Sequence, residues 1–420
     1  MTSLQIIVFM FAFVHTVFEI FMNYLNYKSL VRMKSDQPDH TKELMEEEKW
    51  KTATDYSLAK TQLSMIQEFF GFLILIVVIL YILPISFNRW SATSESGIMF
   101  SSFICVALLM FIQTSGIFFE WFSQFRVEDR FGFNNSTLKL WISDKLKESV
   151  LGLIIGTLLF ALLIWLYRIL SNWSDYWWLV AFLVFFVLQL SLMVIWPRFI
   201  LPLFNKLSPL EEGELKSRLM TLAERTGFAA STIEVIDGSK RSSHSNAYFT
   251  GFGRFRRIVL YDTLVDQMKQ DEIEAVLAHE IGHYKLGHIP KRLFFSFIFG
   301  LLAFWGLDYA LSQETIYSGL GLGVEYVGSL AVLLVAAVLL LPCFTYWLSP
   351  LSNFFSRKHE FEADRFAADS MDGGRSLINA LTKLYQENLS HPIPHSLIVF
   401  FHYSHPPYFE RIRALSNFQK

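Results

Sequence analysis

The stretch HEIGHYKLGH, residues 279–288, holds three histidines and one glutamate within ten residues. Asp271 followed by Glu274 resembles a capping box and predicts a helix start. Apolar residues then recur at helical spacing: Ile273, Val276, Leu277 and Ile281. On such a helix His279 and His283 lie one turn apart on one face, and two imidazoles at this spacing can bind one zinc ion. Glu280 then takes the position of the general base in the HExxH motif of metalloproteases.

The motif alone does not distinguish a metal site from a pair of histidines on a surface helix. A third ligand would decide more, and the extended pattern HExxHxxGxxH supplies a third histidine six residues after the second. Here that position holds Ile289. His288 comes five residues after His283 and is predicted to point away from the ligand face, so we interpret it as a non-ligand. The third ligand must come from elsewhere in the chain.

A second charged stretch, SRKHEFEAD at residues 356–364, also indicates a helix. Glu360 can complete a His-His-Glu shell that leaves the fourth position for water. Asp364, one turn later, can accept the spare N–H of a ligand histidine. His359 and Glu362 lie off this face, and we interpret His359 as a non-ligand and Glu362 as solvated. The alternative is a plain charged helix; we favour the ligand interpretation because both stretches are predicted on the same side of a membrane.

The composition of the 420 residues predicts a membrane protein. Hydrophobic residues make up 53% and charged residues 18%, whereas a typical globular protein has about 25% charged residues. The mean hydropathy is +0.36. The net charge of −2 gives no basic surface for nucleic acid. Cys105 and Cys343 both fall in apolar runs, so we expect no disulfide framework.

Seven apolar runs are long enough to cross a bilayer, which takes about 20 residues: 4–24, 66–87, 98–119, 149–170, 177–201, 293–311 and 327–349. The number of lysine and arginine residues alternates between high and low in successive loops, with seven in 25–65 and one in 88–97. The positive-inside rule then places the N-terminus outside and the last segment in the cytoplasm.

The expected division of the chain follows from these runs. It is transmembrane helices 1–5 with cytoplasmic loops at 1–201, a protease segment with an edge strand and the HExxH helix at 202–292, transmembrane helices 6 and 7 at 293–349, and a cytoplasmic protease segment with the third zinc ligand at 350–420. The two protease segments lie on the same cytoplasmic side, so one site can be built from both.

The stretch SNAYFTGFGRFRRIVLYDTLV, residues 245–265, predicts a β-hairpin. Its strands are expected near 246–251 and 256–261, with a turn at Gly251–Gly253. A strand edge beside a zinc helix can align an extended peptide by backbone pairing. Asn246 at such an edge can donate to a substrate carbonyl. A purely structural hairpin is the alternative.

Three further motifs accompany the two charged stretches: WPRFILPLFNKLSPLEEGELK at 196–216, RSSHSNAYFTGF at 241–252 and HYSHPPYFERIRAL at 402–415. Together they resemble the Ste24 family of integral-membrane zinc metalloproteases, the CAAX prenyl protease 1 type within peptidase family M48. The resemblance spans nearly the whole chain. It implies a mainly α, polytopic membrane fold with seven tilted helices around a chamber, capped by a protease domain that bears the small β-hairpin or sheet.

The resemblance also implies a site and a substrate class. The site would hold one zinc ion on His279, His283 and Glu360, with Glu280, Asp364, His405 and Asn246 as catalytic residues. Of these, His405 and Asn246 would contact the substrate backbone or the developing oxyanion. The substrates would be peptides or membrane-associated proteins, including the C-terminal CAAX peptides of prenylated proteins. The partners are thus substrate and membrane lipid but not nucleic acid, and the membrane is a bacterial inner membrane or the endoplasmic reticulum.

Two other functions remain open from the residues alone. A transporter or channel with a structural metal would suit seven spans, but the spans hold few paired charges and the conspicuous acids and imidazoles lie outside them. A site-2-type protease places HExxH inside a span, whereas Lys285, His288 and Lys291 make this helix too polar for lipid.

Overall fold

Helices dominate the computed structural model, which describes residues 2–91, 97–228, 232–250 and 257–418. In chain order the helices are α1 Ser3–Ser35, α2 Glu47–Val77, α3 Leu83–Ser91, α4 Ile98–Gln113, α5 Ile117–Phe122, α6 Leu138–Leu170, α7 Trp177–Ile195, α8 Glu214–Arg225, α9 Asp262–Gln267, α10 Gln270–Lys285, α11 His288–Leu311, α12 Glu314–Gly319, α13 Leu330–Thr345, α14 Ser349–Ser370, α15 Arg375–Glu387, α16 Ser396–His402 and α17 Tyr408–Ser416. The strands are β1 Leu207–Pro209, β2 Thr232–Ile236, β3 Ala247–Thr250 and β4 Arg257–Tyr261.

Within the described residues, seven helical segments are long and apolar enough to cross a membrane: Gln5–Ser35, Glu47–Arg89, Ile98–Glu128, Leu138–Leu170, Trp177–Leu203, His288–Leu311 and Leu330–Ser370. Each of the seven predicted runs overlaps one of them. Large apolar side chains such as Phe111, Phe118 and Phe294 lie exposed on these helices, as expected for surfaces that face lipid. The predicted fold class, mainly α with seven membrane helices, is confirmed.

Two of the spans are much longer than the predicted runs. The second has 43 residues, about 65 Å of helix and roughly twice the hydrocarbon thickness of a bilayer. Its first turns therefore extend beyond the membrane, where Trp50 and Tyr56 are buried among side chains from residues 210–281 and 367–415. The last span has 41 residues and continues past the predicted end at 349 to carry Glu360. Two long helices thus join the membrane part to the polar part of the molecule.

A four-stranded sheet has the order β1-β2-β4-β3. β3 and β4 pair antiparallel, with Ala247 opposite Leu260 and Thr250 opposite Arg257, so the two strands of the predicted hairpin are present. The turn expected at Gly251–Gly253 lies outside the described residues. β2 pairs with β4 in parallel, which leaves β3 at the edge of the sheet.

The main hydrophobic core outside the spans draws on four parts of the chain. It combines side chains from residues 44–63, 127–133, 210–281 and 367–415. Trp50 is fully buried there, and its indole N–H donates to the carbonyl of Met33 at 2.9 Å. Residues that the sequence analysis placed in cytoplasmic loops of the N-terminal part, many of them on α2, therefore pack into the same core as residues 210–281 and 367–415.

The predicted capping box at the start of α10 is wrong. The carboxylate of Glu272 accepts the backbone N–H of Lys269 at 2.8 Å, so the helix begins earlier than expected. Glu274 instead binds Arg218 of α8 at 2.8 Å, and Asp271 lies inside the first turn. A short pattern of acids cannot decide between two caps that differ by one or two residues, because both satisfy the same free N–H groups.

His391 is a buried histidine without a charged partner among the described residues. Its ring lies 4.8 Å from that of Trp50. Nδ1 accepts the backbone N–H of Ile393 at 3.3 Å, while Nε2 is buried and has no hydrogen-bond partner within the described part of the chain. Burial lowers the pKa of His391 to about 4 from its ordinary value of 6.5.

We predict that His391→Phe makes the protein less sensitive to acid. The folded-state pKa is depressed, so the unfolded chain binds a proton first. Stability is complete above about pH 6.5 and is lost as pH falls towards 4, by up to about 3 kcal/mol over that range. The melting temperature in detergent should therefore fall less steeply with pH in His391→Phe than in the wild type. The exposed His40→Phe serves as the control, and parallel curves for all three proteins would contradict the prediction.

Candidate active site

Two helices that are far apart in the sequence bring three ligand-type side chains together. α10 supplies His279 and His283, whose Nε2 atoms lie 3.2 Å apart. α14 supplies Glu360, whose Oε1 lies 3.2 Å from Nε2 of His283 and whose Oε2 lies 3.4 Å from Nε2 of His279. Ligands on a tetrahedral zinc with bonds of 2.0–2.1 Å are separated by about 3.3 Å. The two imidazole nitrogens and the two carboxylate oxygens therefore have the spacing expected of ligand atoms around one zinc ion.

The hydrogen bonds around this group leave its lone pairs facing inward. Nδ1 of His279 lies 2.9 Å from Oδ1 of Asp364, so the imidazole proton sits on Nδ1 and the lone pair of Nε2 faces Glu360. Oε2 of Glu360 is buried and has no hydrogen-bond partner among the described residues. A buried carboxylate oxygen without a partner is costly. A cation satisfies two imidazole lone pairs and a carboxylate at once, so the donor set fits a bound metal ion.

The charge balance at this group also favours a cation. Burial lowers the pKa of His279, but Asp364 and Glu360 outweigh burial and raise it to about 9. The same carboxylates that stabilise an imidazolium at this position stabilise a metal ion beside it. Burial raises the pKa of Glu280 above its ordinary value, while His279 and His283 act in the opposite direction. Glu280 is thus a stronger base than a solvated carboxylate.

Gly282, inside the HEIGH motif, sets how closely the two helices approach. A Cβ atom at this position would lie 3.1 Å from the Cα of Ala363 and 3.2 Å from its carbonyl oxygen. α10 and α14 therefore touch backbone to backbone, only three residues from Glu360. The sequence analysis did not single out Gly282. A glycine within a helix destabilises the helix by about 1 kcal/mol relative to alanine. Its presence inside the predicted helix was therefore the available indication of a close packing contact.

Arg411 is the charged residue that the sequence analysis missed. It lies on α17, is buried, and binds both carboxylate oxygens of Asp364, through Nη2 at 2.5 Å and Nε at 2.9 Å. Nη2 also lies 3.5 Å from Nδ1 of His279. Asp364 is therefore held between a guanidinium and an imidazole. The pairing of residues 47 positions apart leaves no local pattern, although Arg411 stands in one of the quoted motifs.

His405 lies next to the group and is open to solvent. Its Nε2 is 3.5 Å from Oε1 of Glu360 and its side chain is 65% exposed. The hydroxyl of Ser404 lies 3.0 Å from its Nδ1. This position allows His405 to reach a molecule bound at the open side of the three converging residues.

Asn246 lies immediately before β3 and is exposed. Its Oδ1 accepts the backbone N–H of Ala247 at 2.8 Å, so the amide group is held locally. Asn246 also lines a cavity of about 700 Å³ together with His244 and Tyr403. Since Tyr403 comes two residues before His405, the cavity extends from the sheet edge towards the segment that carries His405.

His288 stays outside the group of His279, His283 and Glu360, as expected of a non-ligand, but it makes contacts that the sequence analysis did not predict. Nδ1 of His288 lies 2.9 Å from Nδ1 of His283, and Nε2 of His288 lies 3.0 Å from Oε2 of Glu362. Glu362 keeps 36% of its side chain exposed, and its contact with His288 is the feature that the sequence analysis did not predict. The geometry was extrapolated along one continuous helix, but α10 ends at Lys285 and Gly287 takes a left-handed conformation with φ of 68°. α11 starts afresh at His288, which turns this ring back towards the site.

In the described part of the chain, seven membrane helices, a mixed sheet with β3 at its edge, and an HExxH helix facing a carboxylate indicate an integral-membrane metalloendopeptidase. Family models match both parts of the chain: "CAAX prenyl protease N-terminal, five membrane helices" at residues 26–206 and "Peptidase family M48" at residues 209–419. The chain belongs to peptidase family M48. It is a multi-pass membrane protein that requires a metal and acts on peptides or proteins, and a transporter or channel is not favoured.

Individual relatives extend over nearly the full length. The chain is 33% identical to CAAX prenyl protease 1 of Saccharomyces cerevisiae, over 98% of this chain and 95% of the relative. It is 34% identical to a CAAX prenyl protease 1 homolog of Arabidopsis thaliana, over 96% of each. The crystal structure of Ste24p from S. mikatae matches with a TM-score of 0.89 and 33% identity, covering 99% of both chains.

We predict that Gly282→Ala weakens metal binding. The added methyl would meet the backbone of α14, and overpacking of this kind costs about 1–3 kcal/mol. α14 would have to move away and take Glu360 with it. Metal content after dialysis against graded chelator should fall at lower chelator concentration than in the wild type. Gly152→Ala, with no atom within 4 Å of the new methyl, is the control, and equal metal retention in both variants would contradict the prediction.

We also predict that Arg411→Met destabilises the protein by about 3–5 kcal/mol, because it removes the guanidinium that binds both oxygens of the buried Asp364. Arg365→Met on α14 is the matched control. Arg365 is exposed and lies 3.9 Å from an exposed Asp369, and such a pair contributes about 0–1 kcal/mol. Thermal unfolding in detergent measures both variants. Similar melting temperatures for the two would show that the Asp364–Arg411 pair is not needed for stability.

Proposed function

We propose that this chain is a zinc-dependent endopeptidase in which His279, His283 and Glu360 hold the ion and Glu280 is the general base. The observation that supports this most strongly is the convergence of three side chains, whose two imidazole nitrogens and two carboxylate oxygens make contacts of 3.2–3.4 Å. Two histidines and a glutamate leave one position open, as in other catalytic zinc sites. When bound, zinc polarises the substrate carbonyl and lowers the pKa of water to about 7.

The other residues of the site then have distinct tasks. Glu280 accepts a proton from the attacking water and passes it to the leaving amine. His405 donates a hydrogen bond to the oxyanion, a contribution of about 3 kcal/mol in comparable sites. Asp364, fixed by Arg411, accepts the Nδ1–H of His279 and so keeps Nε2 free for the ion.

The substrate is proposed to add a strand to the edge of the sheet. Among the described residues β3 pairs only with β4, so its outer backbone groups can pair with an extended peptide. β3 also lies near α10, since the rings of Phe249 and Tyr284 are 6.5 Å apart. Asn246, immediately before β3, would contact the peptide backbone. Backbone pairing holds a scissile bond beside the site without reading much sequence.

The names of the relatives suggest the substrate class. We propose C-terminal CAAX peptides of prenylated proteins as substrates, reached from a chamber between the membrane helices, with other membrane-associated peptides as the alternative. The alternation of basic loops supports a site on the cytoplasmic side of the endoplasmic reticulum or of a bacterial inner membrane.

A pair of quenched fluorescent peptides tests this substrate class. The purified protein is given a farnesylated CAAX peptide and its unfarnesylated twin, each with and without chelator. We expect chelator to abolish cleavage of both and the farnesylated peptide to have the higher kcat/KM. Equal kcat/KM for the twins would remove prenyl recognition from the proposal, and cleavage unaffected by chelator would remove the metal.

We predict that Glu280→Gln lowers kcat by at least about 10²–10⁴-fold, the contribution of a general base, while one zinc per chain is retained. Gln is nearly the same size but cannot accept the proton. Metal analysis and turnover are measured on the same preparation. Glu214→Gln, an exposed glutamate of α8, is the control. Full turnover in Glu280→Gln would instead favour a structural metal.

A further inference from the structure

The two histidines of the site have different partners at Nδ1. His279 meets a carboxylate directly, at Asp364. His283 meets another histidine, His288, at 2.9 Å, and His288 in turn meets Glu362 at 3.0 Å. His279 is therefore hydrogen-bonded directly to a carboxylate, whereas His283 is connected to a carboxylate through His288.

The proton positions along the second path follow from the site itself. Nε2 of His283 faces Nε2 of His279 and Oε1 of Glu360, each at 3.2 Å, so its lone pair is needed there and its proton lies on Nδ1. That N–H donates to Nδ1 of His288. A neutral His288 then carries its own proton on Nε2 and donates it to Glu362. In this series of hydrogen bonds from His283 through His288 to Glu362, every donor has an acceptor.

We propose that His288 and Glu362 are positioning residues that fix the tautomer and ring orientation of His283, as Asp364 does for His279. The inference rests on the proposed zinc function. A histidine ligand whose other N–H is hydrogen-bonded binds its metal more strongly, and loss of such a partner typically costs 10- to 100-fold in metal affinity. Glu362, which accepts the last hydrogen bond of this series, polarises His288 and makes it a better acceptor for His283.

The surroundings hold His288 in one orientation. Its side chain is only 1% exposed, so water does not compete for its Nδ1. Its ring stacks on that of His359 with centroids 4.1 Å apart and an angle of 11° between the planes. Glu362 sits at the outer end, with 36% of its side chain exposed.

His288, His359 and Glu362 also have donor atoms close enough together to hold a second cation. The proton positions argue against that use. A metal on Nε2 of His288 would move its proton to Nδ1, opposite the Nδ1–H of His283 at 2.9 Å. Two donors would then face each other without an acceptor. A metal in this second group and the hydrogen bond that supports His283 therefore exclude one another.

The test is the rate at which purified protein releases zinc to a chromogenic chelator, together with the zinc content per chain. His288→Phe keeps a ring but removes the acceptor, and we expect release about 10- to 100-fold faster than in the wild type. His288→Asn places an amide oxygen near the position of Nδ1 and should restore most of the slow release. A purely structural role for His288 would not separate these two variants in this order.

Variants at the outer residues protect the test against a folding defect at the buried position. Glu362→Leu should accelerate release in the same direction, and Glu362→Gln, which keeps an acceptor for His288, should accelerate it less. His359→Phe keeps the stacked ring and should release zinc at the wild-type rate.

Three outcomes would overturn the inference. Wild-type release rates in His288→Phe and Glu362→Leu would mean that His283 needs no such support. Two zinc ions in the wild type and one in His359→Phe would assign the group to a second metal instead. A wild type that binds no zinc would refute the proposed function and the inference with it, whereas one zinc with unchanged release would refute only the inference.

Discussion

The backbone contact between α10 and α14 is the constraint on which the site depends. Two helices normally pack with their axes 8–10 Å apart, at a distance set by the side chains between them. Here the absence of a side chain at Gly282 lets α10 meet the backbone of Ala363. Glu360, one turn earlier on α14, then reaches the Nε2 atoms of both histidines. A larger residue at position 282 would separate the helices and open the group.

Each buried carboxylate at this contact has partners that stabilise its charge. Glu360 and Asp364 are both buried on α14. Glu360 faces the imidazoles, and Asp364 is bound by both arms of the Arg411 guanidinium. An isolated buried carboxylate would be strongly unfavourable, so the arginine from α17 is what allows an acid to sit behind His279. The C-terminal helix thereby belongs to the site although it contributes no direct ligand.

The membrane part and the site share helices, which ties their positions together. Glu360 lies on a helical segment that runs from Leu330 to Ser370, and Tyr56 and Trp50 lie on the extension of the second span. A tilt of either span would move residues of the site or of the core beneath it. This coupling explains why the hydrophobic core outside the membrane includes residues that the sequence analysis assigned to loops of the membrane part.

Much of this architecture could be predicted from the sequence, because each predicted feature has a local signal. Apolar runs mark the spans, alternation marks the hairpin strands, and the HExxH spacing groups His279 with His283. The features that were missed or wrong depend on long-range contacts or on breaks in regular structure. Hydropathy does not show that a polar extension continues the same helix. The environment of Glu362 could not be inferred, since it depends on the break at Gly287 and the new start of α11. Arg411 and Asp364 are 47 positions apart in the sequence, so their contact appears only in the folded structure.

The most direct measurement is X-ray absorption spectroscopy at the zinc edge on the purified protein and on Glu360→Ala. We expect one zinc per chain, with two imidazole nitrogens and carboxylate or water oxygens at about 2.0–2.2 Å, and a loss of zinc or of the carboxylate oxygen in the variant. A spectrum with sulfur ligands, or one that is identical in Glu360→Ala, would contradict the account, because the two distant helices would then not share one metal ion.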